Sequence, residues 1–152
     1  MKPSERTPGV EQFNVVSSQR TVLQVEDNEA NASLITQLLA QRGHLALLTA
    51  VTGFQGLEMA IAHLPDVILL DIVLPDIGGN EVFAALRSNP LTCHIPVIAL
   101  SSNAFHRQIQ EGLEAGFFRY LTKPFKLFEL MNTIDLALDP VAKATTELTM
   151  TT

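Results

Sequence analysis

Apolar residues along this chain gather into five short runs, separated by stretches in which they recur at helical spacing. The clearest run, Val67-Ile68-Leu69-Leu70, has no polar interruption and lies between Pro65-Asp66 and the turn residues Leu74-Pro75 and Gly78-Gly79. A run of this length without alternation predicts a strand buried on both faces. Asp71 closes it. Upstream, Arg20-Thr21-Val22-Leu23-Gln24-Val25 predicts a strand ending in Glu26-Asp27-Asn28, followed by a helix carrying Ala32, Ile35, Leu38 and Leu39 and stopped at Gly43. Residues 45–49 form a second strand. Thr52 caps a helix carrying Phe54, Leu57, Ile61 and Leu64, which Pro65 ends. Beyond Asp71, Gly78-Gly79 open a helix with Val82, Phe83 and Leu86 that stops by Asn89-Pro90. Residues 95–100 form a fourth strand running into Ser101-Ser102-Asn103, and a helix with Ile109 and Leu113 ends at Gly116. Residues 117–121 form a fifth strand ending in Thr122-Lys123-Pro124. The last helix turns Phe128, Leu130, Met131, Ile134 and Leu138 inward.

Strands alternating with helices in this way predict an α/β domain, a parallel sheet covered on both faces, because each crossover helix must return the chain to the same end. Every strand exit then lies on one edge, where such sheets hold their chemistry. The exits bring Glu26-Asp27, Asp71 and Ser101 together with Lys123. Residues 20–139 form the domain. Residues 1–19, with Pro3, Pro8, Gly9 and Ser17-Ser18 but no sustained periodicity, read as a leader or linker, and Pro140 begins a Thr-rich tail over 140–152.

Length and charge narrow the function. A chain of 152 residues buries one core, and 16 acidic against 10 basic side chains, with no Lys/Arg stripe, argue against direct nucleic-acid binding. Cys93 stands alone, which excludes an internal disulfide and a thiolate metal cage, suits a reducing cytosol, and is expected as a small buried thiol. No apolar run approaches the roughly 20 residues of a membrane span, and the N-terminus lacks a signal-peptide core. A cytoplasmic protein, or the cytoplasmic portion of a membrane-bound one, is expected.

Three carboxylates at one sheet edge repel each other unless a cation neutralises them, and all-oxygen ligation suits a hard ion, Mg²⁺ or Mn²⁺, more than zinc. His44, His63, His94 and His106 show no ligand spacing and read as surface residues. Each acidic group alone has an ordinary explanation: Asp27 or Asn28 as a helix cap, Asp71 as the start of a Pro-containing turn. Ser101 alone fits a cap, and Lys123 alone a solvated charge. Together they describe phosphoryl transfer to a carboxylate, with Asp71 as nucleophile, a cation on Glu26, Asp27 and Asp71, an ammonium from Lys123 and a hydroxyl from Ser101.

Glu26-Asp27-Asn28, Asp71-Ile72-Val73-Leu74-Pro75, Ala99-Leu100-Ser101 and Tyr120-Leu121-Thr122-Lys123-Pro124-Phe125 resemble the receiver domain of two-component response regulators, in the right order over about residues 21–138. The resemblance implies a flavodoxin-like (βα)5 fold with strand order 2-1-3-4-5. It makes Asp71 the phosphoacceptor and Glu26, Asp27, Asp71 and the Val73 backbone carbonyl the Mg²⁺ ligands. Lys123 and Ser101 become catalytic partners, Ser101 and Tyr120 the switch pair, and Lys123-Pro124 a cis peptide. It implies transfer from a histidine kinase or phosphotransfer domain, and a face of fourth helix, fifth strand and fifth helix that changes on phosphorylation and in receivers often dimerises. The domain would catalyse its own phosphorylation and dephosphorylation while serving chiefly as a signalling module. The Glu26-Asp27-Asn28 opening and the leader also resemble receivers at the end of hybrid sensor kinases. Without the resemblance, Tyr120 reads as a half-buried aromatic whose hydroxyl reaches water.

The chain departs from the family pattern in three places. Val73 and Asn103 occupy positions that tune dephosphorylation, and Val73 cannot orient an attacking water, so a long-lived phosphorylated form is expected. Ser102 stands where the family prefers a small residue. Phe117-Phe118-Arg119 replaces a stretch that is often small and acidic; Phe117 is expected in the core, and Phe118 either anchors a partner or folds back over the fourth helix. Three rival readings are weaker. A haloacid-dehalogenase-type phosphatase wants a second Asp where Val73 stands, and a nucleotide or flavin module wants a G-x-G-x-x-G turn. A docking-only receiver would have no need of the complete phosphorylation set.

Overall fold

A computed structural model describes residues 19–102 and 105–139. Five strands, β1 (Arg20–Val25), β2 (Leu45–Ala50), β3 (Val67–Asp71), β4 (Val97–Ser101) and β5 (Arg119–Thr122), pair in parallel in the order β2-β1-β3-β4-β5. The helices between and after them are α1 (Glu29–Ala40), α2 (Gly53–His63), α3 (Gly79–Ser88), α4 (His106–Ala115) and α5 (Leu127–Leu138). This is the flavodoxin-like arrangement and strand order expected. The central strands are buried on both faces. In β3, Val67 and Leu69 join a core with α1 and α5, while Ile68 and Leu70 join a second core with α2 and α3. That is why β3 reads as an unbroken apolar run.

Local chemistry sets the ends of the elements. The Asn28 side chain accepts from Asn31 N to start α1, and the Thr52 hydroxyl accepts from Gln55 N to start α2. Gly116, at φ 118°, closes α4 in the left-handed conformation that glycine adopts freely. β4 and β5 begin two residues later than expected, at Val97 and Arg119. Pro96 lies just outside β4, and Phe117 and Phe118 point to opposite cores, with Phe118 N donating the first bond to β4 at Val97 O, 2.8 Å.

Several apolar residues face the other way from the sequence expectation. Phe54, Ile61 and Leu64 are exposed, and α2 instead rests on Gly53, Gly56 and Ala60. Small residues bring the helix axis close to the sheet: a Cβ on Gly56 would stand 2.8 Å from Val25 Cγ2. The large side chains are thereby turned outward. Phe128 is 82% exposed, while Leu130, Met131 and Ile134 carry the inner face of α5. Leu113 is exposed too, because only Gly112 of α4 is fully covered. Cys93 is exposed rather than buried. In its turn Thr92 takes the inner place, fully buried, with its hydroxyl donating to Leu86 O at 2.7 Å. The four histidines lie on the surface as expected.

Asp76, which sequence reading passes over, ties the β3–α3 loop to α2. Its two carboxylate oxygens accept from Gly53 N and Phe54 N, each at 2.8 Å, at the positive end of the helix dipole. Desolvation raises this carboxyl, but bonds from the backbone N–H groups of Phe54, Gly53 and Ile77 together outweigh it and hold it below the usual carboxylate range. A depressed folded-state value means the stabilisation is present above the ordinary Asp value of about 3.9 and is lost as pH falls through the folded value. Asp76→Asn should therefore be less stable than the parent at neutral pH, with the difference closing in acid below pH of about 4. Urea unfolding of both proteins across that range checks this; a pH-independent gap would assign the loss to shape rather than charge.

Candidate functional site

The C-terminal ends of the strands build the site. Glu26 follows β1, Asp71 ends β3, Ser101 ends β4 and Lys123 follows β5. Backbone bonds set their heights: Glu26 N donates to Ala50 O at 2.9 Å, Ile72 N to Leu100 O at 3.0 Å and Lys123 N to Ser101 O at 2.8 Å. Gly79 lets α3 start against the β3 exit, since a Cβ there would stand 2.5 Å from Asp71 O.

Lys123 Nζ donates to Glu26 Oε1 and to Asp71 Oδ2, both at 2.9 Å. Glu26 is 1% exposed and Asp71 6%. Val73 N donates to Asp71 Oδ1 at 2.9 Å, and Asn28 N to Glu26 Oε2 at 3.1 Å, so both carboxylates are oriented by main chain as well as by the ammonium. Burial pushes the Glu26 carboxyl above its usual range and Asp71 adds to this, while Lys123 and the Asn28 N–H pull the other way. Burial alone would lower the Lys123 ammonium; its bonds to Asp71 and Glu26 outweigh that and hold it above its usual value. One cation between two buried acids is incomplete neutralisation, and Asp27 adds a third. Carboxylate oxygens of Glu26, Asp27 and Asp71 lie within 4.8 Å of one another, so the donor set is all oxygen and fits a hard divalent ion.

Ser101 is 3% exposed at the base of the site. Tyr120 is half-buried against the α2–α3 core, and Lys123-Pro124 is a cis peptide. Asn103 lies outside the described residues. Phe117 is buried as expected. Phe118 packs on the α1–α5 core with the Arg119 guanidinium 4.8 Å over its ring, on the sheet face opposite α4. It does not fold over the fourth helix.

A family model for the response regulator receiver domain matches residues 22–135. The chain belongs to the response regulator receiver family. The polar-differentiation response regulator DivK of Brucella ovis is 35% identical over 115 residues, covering 76% of this chain and 93% of DivK. The receiver domain of a Francisella response regulator superposes with a TM-score of 0.75 at 28% identity, over 80% of this chain and 98% of that one. The receiver domain of a sensor histidine kinase from Pseudomonas aeruginosa PAO1, solved with a magnesium ion coordinated in its active site cleft, superposes with a TM-score of 0.72 at 31% identity, over 79% and 98% of the two chains. The acidic cluster of this receiver is consistent with the same kind of Mg²⁺-binding phosphorylation site. Among the described residues no helix is long and apolar enough to cross a membrane.

Two parts of the site escape sequence reading. Asp76 has no local signal, because its partners are 22 and 23 residues away. Gln24 did carry one, a polar residue in an apolar strand. It is 1% exposed and its amide N–H groups reach Ala32 O, Thr36 Oγ1 and Thr49 Oγ1, joining β1 to α1 and β2 below the acidic pair.

Proposed function

We propose that Asp71 accepts a phosphoryl group from a phosphohistidine on a kinase or phosphotransfer protein, and that this receiver signals through the conformational change that follows. The observation that carries the reading is Lys123 Nζ bridging Glu26 and Asp71 at 2.9 Å each, beside Asp27, at the strand exits. Glu26, Asp27, Asp71 and the Val73 carbonyl would hold Mg²⁺ or Mn²⁺, which when bound supplies positive charge against the phosphoryl oxygens. An Asp71 carboxylate oxygen forms the new P–O bond as the donor's P–N bond breaks, and the donor imidazole leaves with the electron pair. The Val73 N–H holds the carboxylate in one orientation for this displacement. Lys123 covers the charge on the transferring group, and the Ser101 hydroxyl donates to one of its oxygens. Ser101 then moves toward the phosphoryl group, and Tyr120 follows into the space beside it.

Intact mass after incubation with acetyl phosphate, with and without Mg²⁺, tests the reading. One added phosphoryl group, dependent on the cation, is expected. No gain from a folded protein shown separately to bind Mg²⁺, and none from a phosphohistidine donor, would overturn it in favour of a docking-only domain.

Val73, two residues beyond Asp71, is 67% exposed, and its side chain presents only carbon to an incoming water. Hydrolysis of the aspartyl phosphate is therefore slow, and Val73→Asn, which can hydrogen-bond a water, should shorten its lifetime by about tenfold. Mass-resolved decay after donor removal measures this; unchanged decay would show that water is positioned elsewhere.

A further inference from the structure

Tyr120 lies in a slot built by side chains outside the phosphorylation machinery. Gly112 is the buried residue of α4, and a Cβ there would stand 2.5 Å from Tyr120 Cδ2 and 2.7 Å from Cε2. The ring thus lies flush on the helix backbone, and no larger residue at 112 is compatible with its position. Phe117 meets Tyr120 edge-on, with centroids 5.8 Å apart and planes at 78°. Behind it, Phe117 stacks on Phe83 at 3.9 Å and 17°.

The stack is fixed at its far end. The Arg87 guanidinium sits 4.6 Å over the Phe83 ring and donates to Cys93 O, Ile95 O and Gly116 O, which join the α3–β4 connection to the end of α4. Tyr120 therefore rests against a ring that is itself stacked and backed by a hydrogen-bonded guanidinium. The slot opens into a cleft of about 730 Å³ between α3 and α4, which Gly112, Phe117 and Tyr120 line together with Asn80, Gln108 and, at its far reach, Ser101. The ring has space to move into and contacts to lose.

We infer that Gly112 and Phe117 are positioning residues for the switch, holding Tyr120 in the resting slot so that phosphorylation must draw it out into the cleft. Two states follow: ring on Gly112 with its edge on Phe117, or ring in the cleft beside Ser101. Whatever weakens the slot favours the second state and, by linkage, tightens the phosphoryl site. The inference rests on the proposed role of Tyr120 as the moving aromatic.

Tyr120 is the only tyrosine and the chain has no tryptophan, so fluorescence excited at tyrosine reports this ring alone. The test compares the parent, Gly112→Ala, Tyr120→Ala and the double variant in the full chain, using Mg²⁺ and beryllofluoride as the phosphoryl mimic. Gly112→Ala should change Tyr120 emission and acrylamide quenching without any phosphodonor. It should also tighten beryllofluoride binding by about fivefold or more, with no such gain between Tyr120→Ala and the double variant. Its unfolding midpoint should fall in the parent background and rise in the Tyr120→Ala background, where Ala in a helix is better than Gly. Should Gly112→Ala not fold, Phe117→Leu is read the same way, since it removes the ring edge and keeps bulk. An unchanged tyrosine signal, weaker beryllofluoride binding, or an equal gain in both backgrounds would overturn the inference. A parent protein that binds no beryllofluoride would instead overturn the phosphorylation reading, while the unfolding cycle would still test the slot.

Discussion

Asp71→Asn should lose phosphoryl uptake from acetyl phosphate by at least about 10³-fold while keeping its fold. The amide nitrogen is no nucleophile and the remaining carbonyl oxygen is a weak one, so no route to an acyl phosphate remains at this position. The shape is conserved. Asn Oδ1 can still accept from Val73 N, and the bond to Lys123 Nζ is the contact given up. One hydrogen bond exchanged at a site that keeps a second acid for the ammonium changes stability by about 1 kcal/mol. Intact mass and urea midpoint measured on the same preparation separate the two effects. Phosphoryl incorporation at the parent rate, mapped to another carboxylate, would remove Asp71 from the proposed role.

Lys123→Met carries the second large effect. Met preserves most of the length but leaves Glu26, 1% exposed, and Asp71 facing one another without an ammonium. Breaking a buried pair by removing one partner costs several kcal/mol; with 16% of the Lys123 side chain exposed, the low end, about 3 kcal/mol, is expected. Mg²⁺ should restore part of this loss, because a cation bound only to the folded state stabilises it by mass action. Phosphoryl transfer should remain slow even in saturating Mg²⁺, by about 10²-fold or more, because charge at the transferring group is uncovered on one side. Urea unfolding with and without Mg²⁺, together with the phosphorylation rate, checks both parts. Full recovery of rate by the cation would show that Lys123 serves the resting structure and not the transfer.

The strands and the site were legible because both are written locally. An apolar run closed by Asp71, and βα turns carrying Glu26-Asp27, Ser101 and Lys123, need only the rule that parallel strands exit on one edge to be assembled. What stayed hidden depends on which face of an element is pressed closest to its neighbour. Helical spacing located α2 but pointed to Phe54 and Ile61, since periodicity weighs large apolar residues and is blind to the close approach that Gly53, Gly56 and Ala60 permit. Cys93 is exposed against expectation for a related reason: burial averages for a residue type say nothing about which side of a turn it occupies. The Gly112 slot needs the actual separation of α4 from Tyr120, which no spacing rule supplies.

The clasp between the first strand and the last helix has a consequence for how the domain is carried. Arg20, at the start of β1, donates from Nη1 to Leu138 O at the end of α5 at 3.1 Å, and Arg42 pairs with Asp135 at 2.9 Å beside it. The chain therefore enters and leaves the fold side by side, at the rim opposite the acids. Sequence joined at either end of the described residues is therefore attached at the rear of the domain. Both points of attachment thus lie away from the edge that carries Glu26, Asp71 and Lys123.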